Sequence, residues 1–83
     1  MKVISTEKAP AAIGPYSQAV RGGDYVYVSG QLPIDPATGA FAGEDIASQT
    51  KQSLTNIKAI LESEGLSMAN VVKTTVLLQN IGD

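Results

Sequence analysis

The sequence contains neither cysteine nor histidine. Without cysteine, no disulfide can brace the chain and no thiolate can hold a metal. Without histidine there is no imidazole general base, no Ser-His-Asp or Cys-His nucleophile system and no His-ligated zinc. No metal site and no cofactor are expected. Arginine is reduced to Arg21 alone, beside five scattered lysines, and the net charge is -2. That is the reverse of the basic stripe by which proteins hold nucleic acid, so nucleic acid is not an expected partner. No run of ~18 apolar residues occurs, which excludes a spanning helix of the usual kind. The stretch Met1-Lys2-Val3-Ile4-Ser5 lacks the long apolar core of a signal peptide. A soluble, cytoplasmic protein is the expectation.

What remains is an 83-residue chain with 43% hydrophobic residues, enough for one small domain over residues 1–83. A domain of this size buries a thin core and usually relies on a staple or a partner. With disulfides and thiolate metal sites excluded, oligomerisation is the remaining way to add buried surface.

Lys2 to Ser5 is a candidate short strand. Pro10, Gly14 and Pro15 make Thr6 to Pro15 a loop. Tyr16–Arg21 and Asp24–Ser29 are strand-like runs separated by Gly22-Gly23, a hairpin signal in which both glycines tolerate the positive φ of a type I′ turn. Such a turn sets Arg21 opposite Asp24, Val20 opposite Tyr25, Gln18 opposite Tyr27 and Tyr16 opposite Ser29. Tyr16, Gln18, Val20, Tyr25, Tyr27 and Ser29 then share one face. Ser17, Ala19, Val26, Val28 and Gly30 share the other, small and apolar enough to lie under a helix. The tyrosine face is either an interface or ligand surface, or a solvated sheet surface. Asp35-Pro36-Ala37-Thr38-Gly39 is a connecting turn.

From Ile46 to Glu64 the spacing of Ile46, Thr50, Leu54, Ile57, Ile60 and Leu61 predicts an amphipathic helix. At about 1.5 Å per residue it is a rod of ~28 Å. Asp45 is its expected N-cap and Gly65-Leu66 its Schellman-type stop. Gln49, Lys51, Gln52, Thr55, Lys58 and Glu62 form the expected solvated side. Val71 to Leu78 is β-branched and apolar, which suits a fourth strand with Val72, Thr74, Val76 and Leu78 under the helix. Lys73 projects the other way and reads as a solvated lysine rather than a functional group. A helical crossover lets this last strand run parallel to its neighbour. The fold class is therefore α+β: a two-layer sandwich of a mixed β-sheet with a helix on one face.

Several blocks, in order, resemble one family. They are Ala9-Pro10-Ala11-Ala12-Ile13-Gly14-Pro15-Tyr16-Ser17-Gln18-Ala19-Val20, Val28-Ser29-Gly30-Gln31-Leu32-Pro33, Asp35-Pro36-Ala37-Thr38-Gly39, Gln52-Ser53-Leu54-Thr55-Asn56-Ile57-Lys58-Ala59-Ile60-Leu61 and Val71-Val72-Lys73-Thr74-Thr75-Val76. The chain is similar over essentially its whole length to the Rid family, the reactive intermediate deaminases, also called YjgF-like. The resemblance implies a chorismate-mutase-like α+β fold and homotrimers with inward-facing sheets and ligand clefts between subunits. It also implies hydrolysis of enamine/imine intermediates of the 2-aminoacrylate type to a keto acid and ammonia, as in 2-iminobutanoate/2-iminopropanoate deaminases, without a cofactor. Carried over to this chain, Tyr16 and Ser29 are the catalytic candidates, and Gly30 and Gln31 the substrate-binding ones. The expected small-molecule partner is an imine, enamine or keto acid.

Such chemistry suits these residue types. An imine carbon is already electrophilic, so an enzyme needs mainly to hold the substrate, protonate it and place a water. Tyrosine and serine hydroxyls ordinarily titrate far from neutrality, so neither type is a base alone. Family members continue past the position of Asp83 through a second helix and further strands. Those segments bear the arginine that binds the substrate carboxylate and an acidic residue that positions water. The expectation is that residues 1–83 are the N-terminal two thirds of a Rid-like domain, incomplete at the C-terminus and catalytically crippled alone, either as a fragment of a longer protein, the favoured reading, or as a natural truncation. The alternative is a non-catalytic ligand-binding or regulatory trimer on the same fold. The historical family labels, translation initiation inhibitor and endoribonuclease, sit poorly with the acidic charge and the lack of histidine.

Overall fold

The chain places three short strands, β1 (Lys2–Ile4), β2 (Ala19–Gly22) and β3 (Tyr25–Val28), in an antiparallel sheet of order β1-β2-β3. One helix, α1 (Ile46–Ser63), packs on one face, and a 3₁₀ turn follows at Met68–Asn70. The computed structural model describes residues 1–83 and has the expected α+β, two-layer form.

The hairpin turns on Gly23-Asp24 rather than on Gly22-Gly23. Its register is Ala19↔Val28, Val20↔Tyr27, Arg21↔Val26 and Gly22↔Tyr25. The run Gly-Gly-Asp offers two possible two-residue loops. Gly23 has φ +59° and Asp24 does not have a positive φ. That is the pattern of a type II′ turn, which needs glycine only at its first central position. The slip is one residue on each strand and therefore even in total, so the side chains within β2 and β3 keep their expected faces. Ala19, Val26 and Val28 lie with Ile4 on the helix side, where Ile4, Ala9, Ala19 and Ile60 form the buried cluster. Val3, Val20 and Tyr27 are cross-strand neighbours on the other face, joined there by Tyr25.

The slip separates one expected pair. Ser29 sits opposite Gln18, to whose carbonyl its N–H donates at 3.0 Å, so Tyr16 and Ser29 are not cross-strand partners. Strand β2 starts only at Ala19 because the preceding residues are engaged locally. Tyr16 N–H donates to the Gly14 carbonyl at 2.9 Å. The buried Gln18 side chain closes the Thr6–Pro10 loop: its Oε1 accepts from Thr6 N–H at 2.7 Å, and its Nε2 donates to the carbonyls of Thr6, Ala9 and Pro10 at 3.1, 3.3 and 2.7 Å. These bonds supply partners to loop groups that would otherwise be buried unpaired.

Helix α1 begins and ends as its caps dictate. Asp45 accepts from Ser48 N–H at 2.9 Å, and this bonding holds its carboxyl below the ordinary carboxylate range. At the other end Leu66 N–H donates to Leu61 O at 2.9 Å and Gly65 N–H to Glu62 O at 3.0 Å, with Gly65 at φ +76°. This is a Schellman stop, whose left-handed residue is normally glycine. The buried face is rotated by about a quarter-turn from the apolar stripe. Asn56, Ile60 and Leu61 are buried, whereas Ile46 and Leu54 are 39% and 45% exposed. Gln49 and Gln52, expected in solvent, are half-buried. The cause is polar: the loop carbonyls of Leu32 and Ile34 lie against mid-helix, and Asn56 donates to both.

Glu64, the C-cap of α1, locks the sheet to the helix end. Lys2 Nζ lies 3.0 Å from each of its carboxylate oxygens and Arg21 Nε 3.1 Å from Oε1. The Glu64 side chain is only 7% exposed, and the hydrogen bonds from Lys2 and then Arg21 hold its carboxyl below the ordinary glutamate value.

Val71–Leu78 does not form the expected fourth strand, and Val72, Thr74, Val76 and Leu78 do not lie under α1. The segment takes no sheet pairing and is exposed apart from Leu78, with Val72 at 84% and Leu77 at 92%. β-Branched composition favours extended backbone, but a strand also needs a neighbour's N–H and C=O groups, and none in residues 1–83 serves it. The sheet is accordingly antiparallel throughout rather than mixed. No helix is long and apolar enough to cross a membrane.

Candidate functional site

Three of the four candidate residues, Ser29, Gly30 and Gln31, fall at the exit of the hairpin, and Tyr16 lies on the loop that enters it. Ser29 directly follows β3, and by strand alternation it continues the Tyr25–Tyr27 face. Its hydroxyl donates to the Ser17 carbonyl at 2.6 Å while its N–H is held by Gln18. The end of β3 is thereby pinned beside Ser17, the chain neighbour of Tyr16. Tyr16 itself is 50% exposed, on the loop entering β2. The structure thus brings Tyr16 and Ser29 close along the chain path through Ser17, without pairing them.

Gly30 is exposed, and a Cβ built on it would meet nothing within 4 Å. The space beside Gly30 is therefore open within this chain. Gln31 is half-buried, and its Nε2 reaches the Ser29 carbonyl at a long 3.3 Å. The backbone N–H groups of Gly30 and Gln31 take no partner within the chain. They form a short stretch of free donors between two fixed points. Ser29 is one. The other is Leu32–Ile34, whose carbonyls accept from Asn56 Nδ2 at 3.2 and 2.9 Å.

Asn56 and Gln18 brace this region, and neither stands among the residues expected to shape the site. Only Asn56 carries a signal: an asparagine inside a helix and in phase with Ile60 is a poor helix former that needs a reason to be there. Arg21, the sole guanidinium, is spent on Glu64 on the helix side of the sheet. It does not face Ser29, as expected for a residue near the hairpin tip. A cleft of about 560 Å³ lies elsewhere, lined by Ser5–Glu7, Ala9–Ala12, Gln18 and Pro36, and none of the four candidates borders it. On the bare face the Tyr25 and Tyr27 rings stand 6.4 Å apart at 45° and are 60% and 62% exposed.

Residues 6–83 match the family model described as endoribonuclease L-PSP. The chain belongs to this family, the Rid proteins. It is 55% identical over 82 residues to a RutC family protein of Pyrococcus abyssi, covering 99% of this chain and 65% of that protein. It is likewise 55% identical over 82 residues to the 2-iminobutanoate/2-iminopropanoate deaminase of Salmonella typhimurium, covering 99% of this chain and 63% of the enzyme. Among solved structures, an L-PSP protein of Entamoeba histolytica superposes with a TM-score of 0.95 at 50% identity, over 99% of this chain and 66% of that one. The chain thus spans somewhat less than two thirds of the length of these Rid relatives.

Proposed function

We propose that residues 1–83 supply one wall of an enamine/imine deaminase site, acting in the cytoplasm within a homotrimer. Water adds to the imine carbon, and the resulting carbinolamine expels ammonia to leave a keto acid. Tyr16 walls the substrate and hydrogen-bonds to it. The Ser29 hydroxyl orients substrate or water, and the free N–H groups of Gly30 and Gln31 receive the carboxylate. The bidentate cation that such a carboxylate requires comes from outside these residues, because Arg21 is committed to Glu64. The observation that carries this reading is the pinned hairpin exit: Ser29 fixed at 2.6 Å to Ser17, followed by two unpaired N–H donors. The 55% identity to a named iminobutanoate/iminopropanoate deaminase supports it.

The engagement of Arg21 favours a second reading, a ligand-binding or regulatory trimer that holds a small keto acid without turning it over. Ammonia release by the intact native polypeptide, from an imine generated in situ by an amino-acid oxidase, separates the two. Deamination requires release above the uncatalysed rate and a fall of ~10–100-fold in Ser29→Ala or Tyr16→Phe, as for loss of one or two positioning contacts. Keto-acid binding without release supports the second reading instead.

A further inference from the structure

Asn56 is fully buried in the middle of α1, and all its hydrogen-bonding groups are used. Its Oδ1 accepts from Gln52 Nε2 at 2.9 Å, which sets the amide so that Nδ2 faces the carbonyls of Leu32 and Ile34. The reversed amide would bring Oδ1 against two carbonyl oxygens and face Nδ2 toward another donor. The segment it grips is otherwise closed on its own loop, with Ala42 N–H on Pro33 O at 3.0 Å and Asp35 N–H on Ala40 O at 2.9 Å, and Asn56 supplies its only hydrogen bonds from α1. It is bridged at Ile34↔Phe41, and Pro33 lies in a tight turn closed by Ile34 N–H on Leu32 O at 2.8 Å. Gly30 and Gln31, with no backbone bonds of their own, are stretched between this grip and Ser29.

We propose that Asn56 is a positioning residue: through Leu32 and Ile34 it sets where the Gly30 and Gln31 N–H groups point, and so the geometry of the keto-acid or imine site. This rests on the deaminase reading above and extends it to a residue that cannot touch substrate. A helix that merely needed filling at this position would carry an apolar residue. The buried amide, aligned by Gln52, instead spends both donors on one loop.

The test uses the intact native polypeptide and three variants: Asn56→Asp, Gln52→Ala and, as a core control one turn along α1 whose side chain packs on Ile4, Ala9 and Ala19 and makes no hydrogen bond to the loop, Ile60→Val. Two quantities are read. One is the amide resonances of Gly30 and Gln31; the other is the affinity for 2-oxobutanoate, the hydrolysis product of 2-iminobutanoate. In Asn56→Asp and Gln52→Ala the Gly30 and Gln31 resonances should move while those of Ala19–Val28 stay, and 2-oxobutanoate should bind about tenfold more weakly. Asn56→Asp should regain affinity as the pH falls, because a protonated carboxyl can again donate to a loop carbonyl. Ile60→Val should leave both readings in place. Should Asn56→Asp fail to fold, Gln52→Ala, at a half-buried position, decides the matter. Unchanged Gly30 and Gln31 resonances, or an equal loss of affinity in Ile60→Val, would overturn the proposal. If the native protein neither binds 2-oxobutanoate nor releases ammonia, the deaminase reading fails, and the resonances still decide whether Asn56 controls the segment.

Discussion

Gly30 and Ser29 are chain neighbours with opposite ties to the rest of the molecule. Ser29 is bound twice, and Ser29→Ala should lower stability by ~0.5–1.5 kcal/mol through loss of the hydroxyl bond to Ser17. Gly30 has an ordinary φ and open space where a Cβ would stand. Gly30→Ala should therefore leave the denaturant midpoint unchanged or slightly raised, within ~0.5 kcal/mol, while impairing keto-acid binding in the intact protein. A clear loss of stability in Gly30→Ala would mean that the glycine serves the chain's own packing. At this scale the sequence was only partly readable. Tyr16, Ser29, Gly30 and Gln31 stand out by resemblance. Gln18 looks like a solvated polar residue, and Asn56 signals only that it needs a partner; which partner is not legible, because both bond loop carbonyls and no periodicity shows where a loop carbonyl will lie.

The elements follow their punctuation. Asp45 and Gly65 bound α1 within a residue of the expected ends, since a cap and a Schellman stop are local devices. Gly65→Ala should cost ~1 kcal/mol, read as a lower urea midpoint, because alanine is strained at φ +76°. The Glu64 latch gives a pH dependence. Its carboxyl is depressed in the folded chain by Lys2 and Arg21, so the unfolded chain takes up this proton first as pH falls. The latch contributes fully above the ordinary glutamate range and fades as pH falls through that range toward the depressed folded value. Glu64→Gln should flatten the acid limb of the stability profile; an unchanged limb would show that the latch carries no weight. The faces of the hairpin were readable from alternation, but its register was not, because Gly22-Gly23-Asp24 permits two loops of equal length. Composition predicts a strand at Val71–Leu78 that does not form, because it reports a preference for extended backbone and says nothing of a partner.

At the scale of the molecule, two surfaces stand open: the Val3, Val20, Tyr25 and Tyr27 face of the sheet, and the Val71–Leu78 segment. So thin a core, with Ile4, Ala9, Ala19 and Ile60 at its centre, argues that both are covered in the working protein. Sedimentation of the intact polypeptide should show a homotrimer, and Tyr27→Lys should dissociate it; a stable monomer at micromolar concentration would contradict the assembly. On the proposed deaminase reading, Tyr16, Ser29 and the Gly30–Gln31 donors form one wall of the site, and the cation for the substrate carboxylate is supplied from outside residues 1–83. The direct measurement is ammonia release from an imine generated in situ, comparing a polypeptide of residues 1–83 alone with one completed by a family-like C-terminal segment. A charge-assisted carboxylate contact is worth ~1.5–3 kcal/mol, or about one to two powers of ten in binding, and a missing water-positioning group removes a further factor of order 10²–10⁴. The expected result is release near the uncatalysed rate from residues 1–83 and rapid release from the completed chain. Equal rates from the two would contradict the claim and show that Tyr16, Ser29 and Gly30 suffice.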